Sequence, residues 1–178
     1  MKRAFIAVLV LISFLVAVPL VGLMLPRGHV VARTVTLHQP PEATWQAITD
    51  FEHVPSWRPN VVRVEQLPAQ NSFPVWREHY QGGDALTLAT VESVAPSWLV
   101  REITDPDLPF GGRWVYQIAP MERGSRVTIT EHGDVSNPVF RVVSRFFIDQ
   151  TATIDEYLVD LGKKFGESVT PQPGQIGS

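Results

Sequence analysis

The chain has 178 residues, a net charge of -3 and no cysteine. That length suits one domain with an appendage, and the missing cysteine removes disulfides, thiolate nucleophiles and Cys-ligated zinc. Lysine and arginine are scattered along the sequence, so the basic face that displaces counterions from nucleic acid is absent and no nucleic-acid partner is expected.

Ala4 to Leu25 carries no charge and has Ser13 as its one polar side chain, with fifteen of its 22 residues being Leu, Ile, Val or Phe. As a helix it spans about 33 Å, the thickness of a bilayer's hydrocarbon core. At the per-residue insertion scale it is worth at most about -5 to -9 kcal/mol. Pro19, near one end, is tolerable in lipid. A single-pass N-terminal transmembrane anchor is expected within residues 1–29. Lys2 and Arg3 against Arg27 and Arg33 lean towards an extracytoplasmic domain. A cleaved signal peptide competes, but the run is longer than the usual apolar region and no A-x-A site follows it.

From Val30 the pattern changes to short alternating segments. Val30–Leu37 reads as a strand, and Pro41–Asp50 as a helix opened by proline and by Glu42 in its first turn. A short helix or turn covers Phe51–Trp57. Six strands follow, at Val61–Leu67, Val75–Gln81, Ala85–Val94, Trp98–Asp105, Arg113–Ile118 and Arg126–Val135. Gly82-Gly83 reads as a tight two-residue hairpin turn, with Met121–Ser125 a second turn. Asp105–Gly112 is a longer loop. Asn137 and Pro138 then open a helix whose stripe (Phe140, Val143, Phe147, Ile154, Leu158, Leu161, Phe165) runs about 25 residues, broken only at Thr151. Ser168–Ser178 reads as a flexible tail.

That order predicts an α+β domain over 30–167 with the helix-grip fold, a curved seven-stranded antiparallel sheet around a long C-terminal helix. A curved sheet closed by one helix leaves a cavity between them. Three segments, PPEATWQAITDFEHVPSWRPNVVRVE (40–65), VTITEHGDV (127–135) and NPVFRVVSRFF (137–147), resemble the START-like superfamily, also called SRPBCC, and within it the polyketide cyclase/dehydrase-like group. The resemblance covers about Val30–Gly166. It implies the same fold and a pocket for lipids, quinones or polyketides, and it specifies activity weakly, because one fold carries many functions.

Strand parity sorts inward from outward residues. Val127, Ile129 and Glu131 fall on one face, as do Trp114, Tyr116 and Ile118. Trp76, Glu78 and Tyr80 are taken as inward, although a β-bulge would invert them. Three Glu-His dipeptides occur, at 52–53, 78–79 and 131–132, and within either strand pair the neighbours point to opposite faces, so at most one member reaches the pocket. Glu131 is the candidate catalytic acid or base: an inward carboxylate in an apolar cavity has its pKa raised. The competing role is a structural ion pair with Arg101 or Arg77, or a hydrogen bond to Tyr80 or Tyr116. Candidate ligand-binding residues are Trp76, Glu78, Tyr80, Arg101, Trp114, Tyr116, Ile129, Phe140 and Phe147. Arg101 orients a ligand oxygen or, more simply, reaches solvent. The five histidines lack metal-site spacing, so neither a metal nor a cofactor is expected.

Three functions follow in order. The first is membrane-tethered binding of a hydrophobic small molecule. The second is a cyclase/dehydratase-type enzyme using Glu131. The third is a protein-interaction module at the membrane surface, using an apolar patch at Leu108, Pro109 and Phe110.

Overall fold

The computed structural model describes residues 2–175, apart from the side chains of Ala4, Phe5, residues 7–12 and Phe14. Helix α1 (Lys2–Met24) leads into strand β1 (Gly28–Leu37), helix α2 (Pro41–Thr49) and a 3₁₀ turn at Phe51–Ser56. Strands β2 (Val61–Gln70), β3 (Phe73–Tyr80), β4 (Ala85–Val94), β5 (Trp98–Ile103), β6 (Phe110–Met121) and β7 (Gly124–Val135) come next. Helices α3 (Pro138–Phe147) and α4 (Ala152–Lys164) and a two-residue strand β8 (Gln172–Pro173) complete the order. The strands form one sheet in the order β2-β3-β4-β5-β6-β7-β1-β8, antiparallel throughout. The sheet is curved and the architecture is helix-grip-like.

The expected elements recur with three differences. The sheet has eight strands, because residues expected in a flexible tail pair with β1 at Arg33 and Thr34, fastened by Gly174 N–H donating to the Ala32 carbonyl at 2.9 Å; residues 176–178 of that tail lie outside the described residues. The single closing helix is two. At its centre Ile148 is extended, and the Asp149 carboxylate accepts from both the Thr151 amide and hydroxyl at 2.9 Å. This local turn competes with helical hydrogen bonding, at the point where Thr151 interrupts the apolar stripe. Burial counts little for Asp149; the Thr151 amide holds its carboxyl below the ordinary range. The Gly82-Gly83 turn is the third difference. It takes four residues, Gln81–Asp84, closed by Tyr80 N–H to the Asp84 carbonyl.

Pro41 starts α2 and Glu42 sits in its first turn. Asn137 Oδ1 accepts from the Phe140 amide at 3.0 Å to start α3. The core lies where Ile154, Tyr157, Leu158 and Leu161 of α4 meet Val35, Leu37, Leu99, Ile118, Val127 and Ile129 of the sheet, with Ile48 of α2 and Trp57 packed beside them. Among the described residues, no helix is long and apolar enough to cross a membrane. The expected transmembrane anchor falls partly on side chains outside that description.

Candidate functional site

A cavity of about 350 Å³ lies between the sheet and the α3–α4 region. The break between the two helices forms part of its rim, through Ile148, Asp149, Gln150 and Thr153. Leu86, Leu88, Ile103, Phe110, Trp114 and Phe140 make its walls largely apolar. Of these, Phe110 and Phe140 stack with ring centroids 5.7 Å apart.

Two polar clusters reach this cavity. At one end Glu78, only 1 % exposed, receives Arg101 Nη1 at 2.7 Å, Arg58 Nη1 at 3.0 Å and the Tyr80 hydroxyl at 2.9 Å. Burial pushes the Glu78 carboxyl up, but Arg101 and Arg58 outweigh it and hold the group below the ordinary carboxylate range. Both arginines are held charged against their own burial by Glu78. Burial, followed by the nearby Glu78 charge, pushes the Tyr80 phenol up; burial takes Tyr116 to about 12. Arg101 also lies 4.2 Å over the Phe51 ring, and among the described residues its Nε and Nη2 have no hydrogen-bond partner. At neutral pH the cluster therefore holds two cations around one anion, with the Tyr80 phenol neutral.

The second cluster sits on the β1–β7 side. Glu131 Oε1 lies 2.9 Å from His29 Nε2, and Trp114 Nε1 donates to Glu131 Oε2 at 2.6 Å. A carboxylate oxygen accepts, so within this pair His29 Nε2 is the donor. Strand register brings the pair together: Val31 lies opposite Glu131 and His29 opposite Gly133, so histidine and glutamate are diagonal neighbours on one face. Gly133 makes room for the pair, because a Cβ at that position would stand 2.1 Å from the His29 ring and push it aside.

Of the sequence-predicted residues, Glu131, Glu78, Tyr80, Arg101, Trp114, Tyr116 and Phe140 line the cavity. Three do not. Trp76 packs against Phe51 instead, Ile129 is fully buried in the core, and Phe147 is 81 % exposed because α3 turns that face outward. The parity of β3 is unbroken; the register shifts fall in β2, so Trp76, Glu78 and Tyr80 do share the inner side. Arg101 does not reach solvent and pairs with Glu78, not Glu131. Arg77 turns towards Asp105 at 3.6 Å. The Leu108–Phe110 segment is not an exposed patch: all three are half-buried, and Phe110 belongs to β6.

Sequence reasoning passed over Arg58 and His29. Arg58 follows the 3₁₀ turn between two prolines, where no periodicity marks orientation. His29 carried a signal, since carrying the parity of Val31, Val35 and Leu37 back two residues places it inward.

A family model described as polyketide cyclase / dehydrase and lipid transport matches residues 28–161. The chain belongs to that family. Solved structures similar to this chain include a START superfamily protein from Mycobacterium smegmatis, at 18% identity and TM-score 0.61, covering 76% of this chain and 96% of that one. Another is Zhui aromatase/cyclase from Streptomyces, at 14% identity, TM-score 0.57 and coverage of 76% and 93%. A third is truncated norcoclaurine synthase from Thalictrum flavum, at 10% identity, TM-score 0.64 and coverage of 79% and 94%. Identities this low concern the fold. No curated protein matches the chain in sequence.

Proposed function

We propose that this family member binds a hydrophobic small molecule, a lipid, quinone or polyketide-like compound, in the cavity while tethered to a membrane by α1. The observation that carries the binding reading is the cavity itself, about 350 Å³ with a largely apolar and aromatic wall into which two polar clusters are set, a make-up suited to a small-molecule site. The tether rests on the uncharged run Ala4–Leu25, which lies almost wholly within the 23-residue helix α1. Holding the domain at the bilayer places it where such ligands are stored. Purified protein should therefore take up Nile red with a blue-shifted emission, and long-chain lipids or quinones should displace it. Leu88→Trp, which fills the cavity, should abolish uptake without unfolding the protein. Equal dye binding by that variant and the wild type would remove the cavity as the site.

A second reading is favoured by the His29–Glu131 pair. A carboxylate that fixes the histidine tautomer leaves the other ring nitrogen free to take a proton, the arrangement a general base needs. On this reading the protein is a cyclase- or dehydratase-type enzyme. Glu131→Gln would then lose turnover of a cavity-bound polyketide-like substrate while retaining its uptake. Undiminished turnover in that variant excludes the role.

A further inference from the structure

Helix α3 is amphipathic in the inverse sense. Its polar residues Arg141 and Ser144 are buried, whereas Val139, Val143, Phe146 and Phe147 form an exposed stripe. Positions 139, 143, 146 and 147 share one helical face, and Phe146 and Phe147 are 62 % and 81 % exposed. An ordinary surface helix has the opposite arrangement, with its apolar face turned to the core and its polar face to water.

Helix α1 docks on α3 at Pro138 and Arg141, on the side away from the stripe. Gly22 meets Pro138 so closely that a Cβ there would lie 1.9 Å from the Pro138 carbonyl oxygen. Arg141 Nη1 donates to the Gly22 carbonyl at 3.1 Å, while Arg141 Nε and Nη2 donate to the Val135 and Ser136 carbonyls at 2.7 and 2.9 Å. Gly22 lies in the last turn of α1, whose carbonyls have no partner within the helix and favour a cation. The docking therefore has a reason on both sides. It also sets a level. Gly22 is three residues before the end of the apolar run at Leu25, about 4.5 Å along a helix. That depth falls at the headgroup–acyl boundary, where amphipathic helices bury their apolar face by about 5–10 Å.

We propose that α3 lies in the interface of a lipid bilayer, its Val139–Val143–Phe146–Phe147 stripe turned into the lipid beside the end of α1. The inference rests on the reading of α1 as a membrane span. Helix α1, docked on α3, itself exposes Leu20, Val21, Leu23 and Met24, and this second apolar surface selects lipid over a protein partner. Exposed Arg145 on the same helix and Arg27 just beyond α1 suit an anionic headgroup layer. The inner side of α3 supplies Phe140 and Ser144 to the cavity, so one short helix separates lipid from ligand space.

The chain has no cysteine, so single-cysteine variants can be labelled uniquely. Full-length Val143→Cys, Phe147→Cys, Leu15→Cys (in α1) and Asp84→Cys (on the distant β3–β4 turn) are labelled with NBD in vesicles of phosphatidylcholine and phosphatidylglycerol. We expect lipids spin-labelled near the headgroup to quench positions 143 and 147 several-fold more than position 84, and aqueous iodide to do the reverse. Iodide quenching at 143 and 147 equal to that at 84, with position 15 shielded and quenched by deep spin-labelled lipid, overturns the inference and leaves the tether standing. Iodide access at position 15 as well removes the tether and this inference together. Labels at 143 and 147 that are shielded from iodide yet unquenched by lipid overturn it in favour of a second copy or a protein partner.

Discussion

Glu78 and Glu131 show how burial separates two carboxylates that line one cavity. Glu78 is sealed among Arg58, Arg101 and Tyr80, while Glu131 is half-buried beside His29 and Trp114. Breaking a buried ion pair from one side strands the remaining charge. Glu78→Gln leaves two buried guanidinium groups without a counter-charge, and we expect it to cost about 3–5 kcal/mol in urea unfolding at neutral pH. A loss below about 1 kcal/mol, the range of an exposed pair, would contradict this. The folded-state pKa of Glu78 lies below its unfolded value, near 4.3. Its contribution is therefore complete above that pH and drains away as acid takes the pH down through the folded-state value. The acid slope of wild-type stability should accordingly be steeper than that of Glu78→Gln. The orientation of both carboxylates was readable from strand parity. Their partners were not, because Arg58, Arg101 and His29 come from different strands and a turn that only the register brings together.

Among the elements, β8 and the α3–α4 break were the least legible in the amino-acid sequence, and each followed a weak signal. A Pro- and Gly-containing polar stretch reads as disordered, yet Gln172–Pro173 adds an edge strand to β1, where proline is tolerated because its missing N–H faces away from the ladder. Arg33 joins the arrangement through Nη2 to the Pro171 carbonyl at 3.0 Å and through Asp155 of α4. A chain ending at Thr170 loses the Pro171 and Gly174 backbone contacts and should be less stable by about 1–3 kcal/mol, two hydrogen bonds' worth. Thermal unfolding of the truncated and full chains measures it, and an unchanged Tm would mean that β8 contributes nothing. The break at Ile148–Thr151 appeared in the sequence as one polar gap in an otherwise regular stripe. A gap of one residue is compatible with a continuous helix, and the Asp149–Thr151 turn decides otherwise.

For the whole molecule, the element order from β1 to α4, the antiparallel sheet and the buried stripe of α4 were legible in the amino-acid sequence. Period-2 and period-3.6 hydrophobic patterns follow from which face must leave water, and that requirement is local. Strand parity likewise placed Glu78, Tyr80, Trp114, Tyr116 and Glu131 on the cavity side. Tertiary structure alone decided which charges pair across the cavity, where the closing helix breaks, and that the apolar face of α3 turns outward while Arg141 turns in to the carbonyls at the end of α1. Phe140, Val143 and Phe147 looked like one core stripe, yet Phe140 lines the cavity while Val143 and Phe147 are exposed. Periodicity reports that a helix has an apolar face. It carries no information on whether the core or a surface outside the domain covers that face, because the choice depends on neighbours more than a hundred residues away in the chain.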